Sequence, residues 1–249
     1  MLDDIQINAN ALRMRRQLGE DVFSPIDIFA VLGSIHDLTL VYYPLGKRIS
    51  GMCLRDRDNK IIAVNSEQTY GRQRFTAAHE LCHIYFHKEL HRVVCPGAFD
   101  EKDAVEIEAN KFASYFLAPY ESLREFVERR IQKKAETTLE DVVQVEQYYG
   151  LSRHATLIRL ISEGYLTKAK AAKMQTGVIK SAQEQGYDVS LYRPSSGEKK
   201  ATTFGKYVKL AETLREREVI SEGLYEQYLI EAFRSDIVYG TEEDEERYD

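Results

Sequence analysis

Two histidines four residues apart bracket a glutamate in the run His79-Glu80-Leu81-Cys82-His83. On an α-helix, positions i and i+4 are separated by a rise of about 6 Å and an angular offset of about 40°. Two imidazoles so placed converge on one point, as two ligands of a single tetrahedral zinc do. Glu80 falls on the adjoining face, close enough to take a proton from water at the metal without binding the metal itself. Zinc lowers the pKa of such a water towards ~7. A Lewis acid and a glutamate base are the parts needed to hydrolyse a peptide bond. The competing reading is a helix buried for packing alone. Two imidazoles and a carboxylate on an otherwise apolar face are costly to bury without a metal or partners.

A catalytic zinc takes three protein ligands and keeps one position open. The pattern H-E-x-x-H-x-x-G-x-x-H would need Gly and His where this chain has Phe86 and Glu89, so that class is excluded. His87 stands one turn beyond His83, where a straight helix carries it past the metal, and it is read as a supporting or structural residue. The best third ligand is Glu106, in Glu106-Ile107-Glu108-Ala109-Asn110. Asn110, one turn on, can orient His79 or His83 through its amide. Glu108 points about 160° away from Glu106. Ala109, Phe112 and Ala113 mark a buried side on the same segment. Cys82 points away from the two histidines and reads as a buried thiol. Tyr85 and Tyr115 are oxyanion-donor candidates that spacing does not separate.

The elements around these residues can be read from pattern. RFTAAHELCHIYFHKEL (74–90) is a helix without Gly or Pro, with Thr76 as a possible cap or a start nearer Gln73. Asp103 to Phe116 is a second helix, stopped before Pro119, and PYESLREFVERRIQKKA is a third. Upstream, Ser24-Pro25-Ile26-Asp27 reads as a helix start with Ser24 as cap. LTLVYYPLG (38–46) is a strand, and 51–66 is a hairpin turning at Asp56-Arg57-Asp58-Asn59. Residues 91–100 read as a loop. Residues 139–164 form a helix–turn–helix with Thr138 and Ser152 as caps and Gly150 and Gly164 as stops. A lysine-rich stretch covers 168–217. Residues 184–203 read as a flexible loop or hairpin. Two amphipathic helices follow, with Ile220 and Tyr225 as a hydrophobic staple around Ser221. The tail TEEDEERYD reads as a disordered like-charge run.

At this point RQRFTAAHELCHIYFH, EIEANKFASYFLAP and the preceding IIAVNS together resemble the ImmA/IrrE family of bacterial metallo-endopeptidases, over about residues 25–120. The family's Arg-x-Arg-Phe-Thr falls on Arg72, Arg74, Phe75 and Thr76, and its motif glutamate falls on Glu106. The chain departs at Ala118, where many members carry Met, and at Cys82, where many carry Gly. The resemblance implies one zinc ion held by His79, His83 and Glu106, with Glu80 as the catalytic base. It also implies cleavage of an Xre-type helix–turn–helix repressor that relieves repression of stress or mobile-element genes. Substrate would pair with an edge strand at about 60–65.

The resulting expectation is an α+β, mostly helical chain. Residues 1–135 form a small zincin-like domain, 136–167 a helix–turn–helix-like segment, and 168–249 a helical region with an acidic tail. A regulator that keeps the metal site but acts by binding a repressor or DNA is the alternative. Arg153, His154 and Arg159 would be its DNA-facing residues. However, 34 basic against 40 acidic residues, a net −6, exclude a uniformly basic DNA-binding surface. No apolar run reaches the roughly 18 residues of a membrane span, and MLDDIQINAN lacks a signal-peptide core. Three cysteines, Cys53, Cys82 and Cys95, suit a reducing cytoplasm better than a disulfide framework.

Overall fold

The predicted hairpin forms from β2 (Ile49–Arg55) and β3 (Lys60–Asn65), paired antiparallel, with the Asp56 N–H bonded to the Asn59 carbonyl across the turn. β1 (Leu38–Tyr43) lies parallel to β3 on its other side. β4 (Arg92–Pro96) pairs antiparallel with β2, and β5 (Thr202–Gly205) pairs antiparallel with β1. The sheet order is therefore β4-β2-β3-β1-β5. The computed structural model describes residues 2–96, 103–131, 136–195 and 200–240, so the acidic tail at 241–249 lies outside the described residues.

This order corrects two expectations. Residues 60–65 are not an edge, because β3 is hydrogen-bonded on both sides. Residues 91–100 are not simply a loop, because Arg92–Pro96 forms β4. Val93 and Cys95 alternate inward along it while Arg92, Val94 and Pro96 face out, and an edge strand tolerates the proline.

α1 (Asp4–Gln17) was not anticipated. Asp3 and Gln6 make a reciprocal capping box, and Ile7, Ala11 and Met14 recur at helical spacing to bury one face. α2 (Ile28–Ser34) starts later than expected, because Asp27 is its cap, accepting from the Phe29 and Ala30 N–H groups. Ser24 cannot serve: its N–H is held by Asp21 and its carbonyl by the buried Arg15.

α3 (Tyr70–Phe86) carries the His-Glu-x-x-His run and begins before residue 73. Thr76 is buried inside it and caps nothing. Two polar side chains near its start dock it, and Asn65 fixes the strand approach beside them. The Gln73 amide donates to the Ser66 and Gln68 carbonyls. The Arg74 guanidinium donates to the carbonyls of Ile26 at 2.6 Å and Gly150 at 3.1 Å. Asn65 spends both ends of its amide on the β2 approach, donating to the Gly46 and Ile49 carbonyls and accepting from the Leu45 N–H.

α4 (Ala104–Leu117) is capped by Asp103 and packs on α1 and α3. α5 (Tyr120–Ile131) follows where the third helix is expected, whose last residues, 132–135, lie outside the described residues. α6 (Leu139–Tyr149) and α7 (Arg153–Ser162) are capped by Thr138 and Ser152. Gly150 ends α6 at φ +66°, a conformation that favours glycine. Val142, Val145, Tyr149, Ala155, Leu157 and Leu160 belong to the same core as Phe75 and Leu81 of α3. Arg153 is buried against Glu146, and Arg159 is buried over the Tyr115 ring.

α8 (Lys168–Lys173) and α9 (Val178–Glu184) lead into the span 184–203 expected to be flexible, which holds a short 3₁₀ turn (Ser190–Tyr192) and the start of β5, with 196–199 outside the described residues. Leu191 and Tyr192 are buried against Val143 and Ala182, which orders the turn. α10 (Lys206–Glu216), α11 (Glu222–Glu231) and α12 (Ser235–Tyr239) follow β5, and Ile220 and Tyr225 share one small core as the staple requires. Among the described residues, no helix is long and apolar enough to cross a membrane.

Candidate metal centre

α3 presents His79 and His83 on one face, with their Nε2 atoms 2.9 Å apart. α4 crosses it and brings a Glu106 oxygen to 3.3 Å from His79 Nε2 and the other to 3.4 Å from His83 Nε2. β4 brings Cys95 Sγ to 3.2 Å from His79 Nε2. Donor atoms of all four residues lie within 4.8 Å of one another. Ligand atoms around a tetrahedral zinc with bonds of ~2.0–2.1 Å sit about 3.3 Å apart, and the contacts of 2.9–3.4 Å among His79, His83 and Glu106 match that spacing.

The neighbouring hydrogen bonds fix which nitrogens are bare. Asn110 Oδ1 accepts from His79 Nδ1 at 2.9 Å. That bond puts the His79 proton on Nδ1 and leaves Nε2 as a lone pair. His83 Nδ1 lies 2.9 Å from His87 Nδ1, and His87 Nε2 lies 3.4 Å from Glu108 Oε1. The assignment that satisfies both contacts has His83 donating to His87 and His87 donating to Glu108. His83 Nε2 is then also bare. Two lone pairs, a carboxylate and a thiol facing one another form a donor set compatible with a metal ion. Burial and the adjacent His83 push the His87 imidazole pKa down, so it stays neutral and able to accept that proton.

Glu80 is 0% exposed and lies against β2. Burial pushes its carboxyl up to about 7, although the Cys95 thiol, His83 and the Cys53 thiol favour the charged form. Neither carboxylate oxygen has a conventional hydrogen-bond partner among the described residues. A base in that state is free to accept a proton near neutrality. Its room is made by Gly51, where a Cβ would meet Thr76 Cγ2 at 2.4 Å and Glu80 Oε1 at 2.8 Å.

All four residues singled out by sequence thus meet at one place, with Asn110 and His87 beside the histidines. Glu108 turns to His87 and the Leu2 N–H instead of joining the cluster. Cys82 is buried in the apolar core. Tyr85 packs under Lys60 and Tyr115 under Arg159. Sequence reasoning missed Cys95 and Gly51. The signal for Gly51 was a glycine inside a strand pattern, which often marks a close approach. For Cys95 it was alternation in a segment as short as RVVCP.

A helix-borne His-Glu-x-x-His meeting a carboxylate from the following helix, on an α+β scaffold with a small sheet, defines a metallopeptidase-type site. Residues 34–160 match the family model described as Peptidase M78, IrrE N-terminal-like domain, and the chain belongs to that family. No curated protein matches the chain.

Proposed function

We propose that this chain is a zinc-dependent endopeptidase in which His79, His83 and Glu106 hold the metal and Glu80 is the general base. The observation that carries the reading is the convergence of the His79 and His83 Nε2 atoms and the Glu106 carboxylate beside the buried Glu80. When bound, the zinc would act as a Lewis acid on water and on the scissile carbonyl. Glu80 takes a proton from water and returns it to the leaving amine. Asn110 and the His87–Glu108 pair hold the two ligand rings in register.

The substrate reading is an extended segment of an Xre-type helix–turn–helix repressor, in keeping with the family resemblance. Support for an extended segment comes from β4. Among the described residues it pairs only with β2, so its outer edge is open for strand addition beside Cys95 and the histidines. Its cleavage would relieve repression in a cytoplasmic setting, for which three free cysteines are suited. Burial of Arg153 and Arg159 in internal contacts argues against α7 as a DNA-reading helix.

The test is Glu80→Gln. With zinc content unchanged, it abolishes cleavage of a co-expressed Xre-type repressor. Regulation that survives Glu80→Gln would instead identify a non-proteolytic regulator.

A further inference from the structure

Cys95 is the fourth donor of the cluster, and the peptidase reading does not use it. Several features aim it there. β2 and β4 slip register between Ile49 and Gly51, leaving Ser50 as the extra residue of a bulge. The Ser50 hydroxyl faces the carbonyls of both Cys95, at 3.3 Å, and Pro96, at 2.9 Å, and so pins the strand end. The residue opposite Cys95 is Gly51, so no side chain from β2 stands between the thiol and α3. Cys95 itself is 2% exposed. Cys82 shows what a thiol buried for packing looks like here, set among apolar core residues and outside the donor cluster.

We propose that Cys95 is a fourth protein ligand, so that this chain closes its own metal centre as a Cys-His₂-Glu site and is latent until the thiolate leaves. The inference rests on the metal centre read above. A catalytic zinc keeps one position for water, whereas four protein ligands close the site. The Cys95 sulfur, 3.2 Å from His79 Nε2, would take the remaining corner. A thiol that coordinates a divalent cation gives up its proton, here to bulk water, and strengthens the site's preference for zinc over magnesium or manganese. Hydrolysis then requires Cys95 to be displaced, which puts control of the enzyme on β4. The same strand carries the open edge suited to substrate, so a peptide pairing there would pull directly on the inhibitory ligand.

The test uses the whole chain loaded with one metal ion. Zinc-edge X-ray absorption of the wild type is expected to show one sulfur neighbour at about 2.3 Å beside nitrogen and oxygen. With cobalt(II), a near-ultraviolet sulfur-to-cobalt band is expected in the wild type, Cys53→Ala and Cys82→Ala, and is lost in Cys95→Ala. A metal-binding hydroxamate shifts the visible cobalt spectrum of Cys95→Ala and leaves the wild type unchanged. Chelator competition shows Cys95→Ala holding metal at least ~10-fold more weakly. Stoichiometric metal in the wild type with only nitrogen and oxygen neighbours overturns the proposal while leaving the peptidase reading intact. A wild type that binds no metal overturns both. The absorption measurement needs no variant, so a folding defect in Cys95→Ala does not blunt the test.

Discussion

Gly51 on β2 and Glu80 on α3 approach so closely that a Cβ on Gly51 would lie 2.8 Å from Glu80 Oε1. The same Cβ would lie 2.9 Å from the Ala63 carbonyl oxygen, which is backbone and cannot swing aside. Gly51→Ala is therefore expected to lose about 1–3 kcal/mol by overpacking. It also displaces the base, so hydrolysis falls even in the fraction that stays folded. Urea titration beside an activity assay at matched folded concentration checks both.

Asn110 fixes the His79 tautomer through its 2.9 Å contact with Nδ1. Asn110→Ala removes the acceptor without removing a ligand. Metal affinity is expected to fall roughly 10–100-fold with the far-UV spectrum unchanged. Chelator competition on the folded variant measures it, and unchanged affinity would show that Asn110 does not orient the ring.

The pair at the centre of the α6–α7 turn gives a prediction about stability alone. The Glu146 carboxylate, 0% exposed, accepts from the Arg153 guanidinium and from the Tyr192 hydroxyl. Arg153→Met leaves that carboxylate buried without its countercharge, which costs about 3–5 kcal/mol. Adding Glu146→Gln recovers most of the loss. Denaturant melts of the two single variants and the double variant test this, and additive losses would contradict it.

Acid stability should carry a small contribution from Asp37. Burial works against its charge, yet the hydrogen bond and charge of Lys60 outweigh that and hold its pKa below the ordinary carboxylate value. A pKa lowered in the folded state gives stability that is present above the unfolded value, near pH ~4, and lost as the pH falls through the folded one. The Asp37 side chain is 37% exposed, so the contribution stays within about 1 kcal/mol. Asp37→Asn is expected to be less stable than wild type at pH 7, with the gap closing at strongly acid pH. Urea midpoints at the two pH values measure the difference.

The chemistry was legible in the sequence wherever it depends on helix periodicity. His79 and His83 share a face because they are four residues apart, and Asn110 shares one with Glu106 for the same reason. The angular offset that sends Glu108 away from the cluster is a local property too. Caps at Thr138 and Ser152 were readable because a cap bonds only two or three residues ahead. The misplaced start of α2 has its cause in contacts from three and nine residues back. Ser24 has the right side chain, but Arg15 and Asp21 already hold its backbone.

What the sequence determined by itself is a helix bearing two histidines and a base, a second helix bearing a carboxylate, and the resemblance to one peptidase family. Tertiary structure alone decided that residues 60–65 lie inside the sheet, that 92–96 form its edge, and that Cys95 and Gly51 belong to the centre. The reason is physical. Helix geometry links residues three and four apart, whereas strand pairing links residues tens apart, through a register that one bulge at Ser50 can shift.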